Sequence, residues 1–181
     1  MQYNVEVFNH QYSVVVAFVQ RLAYYRGLTA VWNGQTTPSE FWAATVDDYL
    51  KLATVAWCNV FGSRKEALHW TQTPTCDILQ QASQDFHHRL LSKTGFTQQQ
   101  WETYHKEMRA FRDKYVAHFD LANRFTDPVP YFDPALQVAY AYQEWSRELI
   151  KPVLLNQPTL SSLYEQCKAK ASTIIIQQPR P

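Results

Sequence analysis

The sequence predicts an all-α fold, an antiparallel helical bundle with additional short helices. Three observations carry this. Only 4 glycines stand among 181 residues, so tight hairpins have little material to turn on. Apolar residues recur at spacings of three and four, the period of one helix face. Helix starts are marked repeatedly by a Ser or Thr that caps the helix, with a Glu or Gln three positions later that reaches back. A chain of this length with 46% hydrophobic residues fits one packed core. A single domain is expected over 1–173, with an extended or disordered tail over 174–181 that holds Pro179 and Pro181.

Taken in order, the first helix is predicted over 10–32, stopping ahead of Gly34. The second, over 38–61, starts with Thr37 and Glu40 as a capping box, has Pro38 where a missing amide costs nothing, and stops at Gly62. A short helix over 64–70 follows from Ser63 with Glu66, and a longer one over 75–92 ends before Gly95. Thr97 with Gln100 opens a helix over 97–119. Asp133 followed by Pro134 opens one over 134–155, and a last helix is predicted over 160–171. The longest connection, DLANRFTDPVPYFD from Asp120 to Asp133, holds Pro128 and Pro130, which break any regular helix through its second half. Connections of this length often carry function.

The charge balance, 17 Lys and Arg against 16 Asp and Glu for a net of +1, gives no broad basic field. Any RNA contact must be local. Cys58, Cys76 and Cys167 are odd in number, far apart and free of CxxC spacing, which argues against a disulfide framework or a thiolate zinc site. They are expected to be reduced and mostly buried. No segment approaches the roughly 18 uninterrupted apolar residues of a membrane span. The opening MQYNVEVFNH lacks a basic region followed by an apolar run, so a cytoplasmic protein without membrane contact is expected.

Several catalytic signatures are missing or out of context. There is no phosphate-binding loop, GxSxG or GxGxxG. Glu102 and His105 have the ExxH spacing of di-iron bundles, but the second copy that such a site needs is lacking. His87 and His88 point about 100° apart on a helix and cannot clamp one metal by themselves. Lys93-Thr94-Gly95 matches a string of penicillin-recognising enzymes, without the strand or the SxxK serine that give it meaning. Glu144 and Glu148, one turn apart, read as an exposed face relieved by Arg147 and Lys151. No cofactor or metal is predicted.

The stretch that stands out is FRDKYVAHFD, Phe111 to Asp120, late in the helix over 97–119. Trp101, Tyr104, Met108, Phe111, Tyr115, Val116 and Phe119 form an apolar stripe. Arg112 and His118 lie roughly 120° apart around an ideal axis and about 9 Å apart along it. That spacing disfavours a compact dyad within one chain and suits an interface where a two-fold partner supplies a second copy of each group. The bland alternative makes His118 a core histidine near a helix C-terminus, and Arg112 a surface cation paired with Glu107, Asp113 or another acid.

The string Arg112-Asp113-Lys114-Tyr115-Val116-Ala117-His118 resembles the motif of the HEPN superfamily (higher eukaryotes and prokaryotes nucleotide-binding domains): an Arg, a polar residue, and a His after four to six intervening residues. With Trp57 to Ser63 (WCNVFGS) and His69-Trp70 upstream, the stretch from Phe41 to about Asp120 looks most like the abortive-infection branch of that superfamily. The resemblance implies a HEPN-type helical bundle acting as a homodimeric, metal-independent endoribonuclease in a toxin or phage-defence setting, with a possible antitoxin or regulatory partner. Members silenced by nucleotide transfer often carry a Tyr two residues after the His; here that position is Asp120.

On that reading Arg112, His118 and Asp113 form the catalytic set. His118, with a reference pKa of about 6.5, is the general base or acid. Arg112 binds the phosphate oxygens as charge builds on them, and Asp113 orients Arg112. Arg109, Lys114 and Arg124 are candidate substrate-binding residues for RNA phosphates, and Tyr131 and Phe132 candidate platforms for bases. The rival expectation is a non-catalytic helical module that binds a partner protein or a nucleotide.

Overall fold

A computed structural model of the chain describes residues 3–32, 40–117, 129–150 and 157–176. The protein is an all-α helical bundle. Among the described residues the α-helices are α1 (Val5–Trp32), α2 (Glu40–Phe61), α3 (Leu79–Thr94), α4 (Gln98–Phe111), α5 (Asp133–Leu149) and α6 (Leu160–Ile176). A 3₁₀ turn covers Trp70–Gln72, and a π-helical turn, Arg112–Ala117, extends α4. An isolated antiparallel bridge joins Tyr3 to Pro74. No described helix is long and apolar enough to cross a membrane.

Cross-helix contacts fix the directions. Arg21 reaches the Leu52 carbonyl and Tyr24 packs on Tyr49, so α1 and α2 run antiparallel. Tyr12 meets Gln143 and Arg26 meets Asp133, which sets α5 antiparallel to α1 as well. α6 returns beside α1 in the same direction, with Cys167 at the level of Tyr24 and Ala171 at that of Leu28. Gly27 is the close approach between these two. A Cβ there would sit 2.6 Å from the Lys168 carbonyl oxygen and 2.7 Å from the Ala171 Cβ. α3 and α5 pair antiparallel through Arg89–Glu148 and Lys93–Glu144.

The core is a continuous aromatic and aliphatic cluster. Phe8, Phe18 and Leu22 of α1 meet Trp57 and Phe61 of α2, Phe86 of α3, Met108 of α4 and Tyr142 of α5. Each such side chain contributes about 1.5–3 kcal/mol by leaving water. Its rings pack tilted or edge-on, as at Phe61–Tyr142 (5.6 Å, 77°) and Phe86–Trp145 (5.5 Å, 50°).

Several predicted boundaries are corrected. α1 begins at Val5, five residues before the expected start. Ser63 does not open a helix over 64–70. Its hydroxyl accepts from the Lys65 amide (3.3 Å), its carbonyl accepts from Glu66 (3.0 Å), and the chain proceeds through successive turns to the 3₁₀ turn. The pull is tertiary: buried Gln11 donates to the His69 carbonyl (2.8 Å) and holds His69 extended, at φ −62° and ψ 139°. A seven-residue helix has too little cooperativity to resist that. α3 starts at Leu79, after a turn closed by the Ile78 amide on the Thr75 carbonyl. It ends as expected, with Gly95 at φ 70°. α5 stops at Leu149, where Ile150 leaves helical geometry at φ −125° and ψ 42°, and residues 151–155 of the expected helix lie outside the described residues. α6 continues through Ile176, into the first three residues of the expected tail. Cys58 and Cys167 are buried, but Cys76 is exposed. Gly34, Thr37, Pro38, Lys151 and residues 177–181 lie outside the described residues.

Candidate functional site

α4 is opened by the predicted box: the Gln100 amide donates to Thr97 Oγ1 (3.3 Å) and Gln100 Oε1 accepts from the Thr97 amide (2.8 Å). Tyr104, Met108 and Phe111 of its stripe are buried. The helix does not continue unchanged through the motif. At Arg112 the backbone amide is shared between the carbonyls of Met108 and Arg109, and Arg112–Ala117 winds as a π-helical turn. The α-helical 100° per residue therefore does not set the angle between Arg112 and the residues after it.

Arg112 is placed with its side chain 19% exposed and its fork already held. Nε and Nη2 both donate to Asp113 Oδ1 at 2.8 Å, and Nη1 lies 3.3 Å from Glu66 Oε1. Asp113 thus pairs with Arg112, a contact that the catalytic and the bland sequence readings both expected. Glu66 reaches this site because its turn is anchored at His69 and is not wound into a helix. Below the pair lies Cys58, whose thiol burial pushes up to about 12 and whose Sγ is 3.8 Å from the Met108 carbonyl. It is an inert floor, not a nucleophile.

The π turn is fastened to α2 on its other side. Tyr115 stacks on Phe111 (4.8 Å, 18°), and its hydroxyl donates to Asp47, which also pairs with Lys51 (2.5 Å). The Lys51 ammonium sits 5.5 Å from the Tyr115 ring centroid. Burial, first, and the Asp47 carboxylate beside it raise the Tyr115 pKa. Arg112 and Tyr115 therefore leave the turn toward two anchors, the loop after α2 and α2 itself.

Of the other candidates, Arg109 is exposed in the last turn of α4 and Lys114 is exposed on the π turn. His118 and Arg124 lie outside the described residues, as do Asp120 and Phe119. Tyr131 is 70% exposed, whereas Phe132 is 4% exposed and packs edge-on against Phe111 (6.3 Å, 76°). Phe132 as a base platform is thereby withdrawn: its ring is spent on closing the core beneath the motif.

The residues set aside also find partners. His105 Nε2 donates to the carbonyls of Phe61 and Gly62, both at 2.8 Å, and so caps the C-terminus of α2. Burial lowers its pKa. Glu102 accepts from Gln98 on its own helix, and His87 bonds Gln98 from α3. Glu144 and Glu148 pair with Lys93 and Arg89 across the α3–α5 seam, while Lys151 lies outside the described residues.

Sequence reasoning did not find Glu66 as a partner of Arg112, or Asp47 as a partner of Tyr115. A local signal existed only for Glu66, and it pointed to a helix cap. Compared with protein families, curated proteins and solved structures, the chain matches none.

Proposed function

We propose that the chain is an endoribonuclease that uses Arg112 and His118, supplied by two copies of the chain in a homodimer, to cleave RNA without a metal. The observation that carries this reading is the placement of Arg112. Its guanidinium is oriented by an adjacent carboxylate, remains partly open to solvent, and begins a π-helical turn on the approach to His118. π turns inside helices recur at functional sites.

The chemistry needs little beyond those groups. The ribose 2′-oxygen attacks phosphorus, a new 2′-O–P bond forms and the P–O5′ bond breaks. One His118 takes the 2′-hydroxyl proton, and the partner's His118 gives a proton to the departing O5′. Arg112 neutralises the charge that builds on the equatorial oxygens. The products are a 2′,3′-cyclic phosphate and a 5′-hydroxyl. A toxin or phage-defence setting, with an antitoxin or regulatory partner, rests on the motif resemblance alone.

A second reading, a non-catalytic interaction or nucleotide-binding helix, is favoured by one specific observation: the Arg112 fork is already filled by Asp113 and Glu66. One experiment separates the two. Labelled total RNA and transfer RNA are incubated with the full chain in EDTA, alongside Arg112→Ala and His118→Ala, and the new ends are assayed. The nuclease reading expects cyclic phosphate ends from the wild type and their loss in both folded variants. Intact RNA with the wild type, or equal cleavage by the variants, leaves the binding reading in its place.

A further inference from the structure

With a net charge of only +1, what the chain's cations can do depends on where the fold puts them. Arg26, Lys51, Arg89 and Lys93 are each matched to a carboxylate. Arg64, Lys65 and Arg109 are exposed, and none of the three is ion-paired among the described residues.

The fold gathers these three beside the motif. The Glu66 amide donates to the Ser63 carbonyl (3.0 Å), which closes a turn with Arg64 and Lys65 at its two central positions. Both ends of that turn are fastened to α4. Just before it, the carbonyls of Phe61 and Gly62 accept from His105 Nε2, both at 2.8 Å; at its end, Glu66 Oε1 lies 3.3 Å from Arg112 Nη1. His105, Arg109 and Arg112 follow one another by four and three positions, within about 60° around the helix. Arg109 therefore stands between the two fastening points, about 6 Å along the axis from His105 and about 4.5 Å from Arg112. Little negative charge opposes the group. Glu66 and Asp113 are both engaged by Arg112. Glu107 is about 200° round α4 from Arg109, and Glu102, about 10 Å before it on the same line, accepts from Gln98 at 2.6 Å. The backbone that carries Arg64 and Lys65 is already held, so binding does not have to order it.

We propose that Arg64, Lys65 and Arg109 form a phosphate track, receiving the phosphates of an RNA strand that flank the one held by Arg112. This rests on the ribonuclease reading and adds how the strand is gripped: by its backbone, along α4 and the turn after α2, with no reading of base sequence.

The test is fluorescence anisotropy over a series of salt concentrations with a labelled 2′-O-methyl oligoribonucleotide. This strand keeps its phosphates but lacks the 2′-hydroxyl nucleophile, so it stays intact. The full chain is compared with Arg64→Gln, Lys65→Gln, Arg109→Gln and the triple variant. Lys170→Gln, which removes an equal charge from an exposed position on α6, is the control. Thermal unfolding checks that all variants are folded, as expected for exposed side chains without ion pairs. Cleavage of unmodified RNA by the wild type in EDTA is followed in parallel. Each track variant is expected to weaken binding by about two- to fivefold. The slope of log affinity against log salt should shrink by about 0.7 for each, and by roughly 2 for the triple variant. Lys170→Gln leaves affinity and slope unchanged. A triple variant with wild-type affinity and slope, or a Lys170→Gln loss equal to that of each track variant, overturns the track while wild-type cleavage still upholds the ribonuclease. Track-dependent binding without cleavage upholds the track and removes the nuclease step. A wild type that neither binds nor cuts RNA removes both.

Discussion

Arg112 and Glu66, 46 positions apart in the chain, meet as an ion pair with 3.3 Å between Nη1 and Oε1. The contact does two things at once. It ties the turn after α2 to the π turn after α4, and it places a carboxylate where a phosphate would have to bind. Any anionic ligand of Arg112 must displace Glu66 or share the fork with it.

Glu66→Gln removes that competitor while keeping the side chain's shape. The pair is partly exposed, so its loss should change stability by less than about 1 kcal/mol. On the proposed ribonuclease reading, RNA affinity should rise by roughly fivefold, the effect of relieving about 1 kcal/mol of competition. Anisotropy with single-stranded RNA and thermal unfolding measure the two effects separately. Unchanged affinity would show that Glu66 does not contest the Arg112 fork.

Two glycines should fail for different reasons when replaced by alanine. At Gly27 the added methyl meets the Lys168 carbonyl and Ala171 at 2.6 and 2.7 Å, so α1 and α6 must separate. Overpacking of this kind costs about 1–3 kcal/mol. At Gly95 the space around the Cβ is open, but φ is +70°, and the left-handed conformation costs a non-glycine residue about 1–2 kcal/mol. Urea midpoints report both losses. Gly95→Asn separates the mechanisms, since Asn tolerates the left-handed region and should recover part of the loss at this site.

How much of this was legible in the sequence depended on distance along the chain. The Thr97 box formed as read because both partners sit within one turn and point into solvent, where nothing competes. The Ser63 box did not, because His69 is pulled into place by Gln11, 58 positions away. The π turn left no mark in the apolar pattern, since Phe111 and Tyr115 are spaced four apart as in any amphipathic helix. Arg112 and Asp113 were legible as adjacent partners; Glu66 and Asp47 were not, because only the folded chain brings α2 and the turn after it to the motif.

His69 makes stability depend on pH. It is 3% exposed, and burial, with the fields of Arg64 and His105, lowers its pKa to about 4. An unfolded histidine titrates near about 6.5, so below that pH the unfolded chain takes up a proton that the folded one refuses. Stability is complete above about pH 6.5 and falls as the pH drops toward about 4, by about 3 kcal/mol in all. His105, lowered in the same direction by burial, adds to the same limb. Urea midpoints at pH 7.5 and 4.5 check the slope. His69→Asn should be less stable at neutral pH but flatter with pH, and an equally steep variant would assign the acid limb to other groups.

The sharpest test of the fold's interior is Gln11, which is fully buried and makes three hydrogen bonds. Its Nε2 donates to the His69 carbonyl at 2.8 Å, while Oε1 accepts from Thr73 at 2.5 Å and from Tyr142 at 2.9 Å. This one amide joins α1, the turn after α2 and α5. Gln11→Leu preserves bulk but leaves two hydroxyls and a carbonyl without their partner, at about 1–3 kcal/mol for each group that finds no other. Tyr142→Phe removes a single donor and should cost about 1 kcal/mol. Because both variants delete the same bond, a double-mutant cycle should give a combined loss below the sum of the two. Strict additivity would mean that the Gln11–Tyr142 bond contributes nothing to the coupling of α1 and α5.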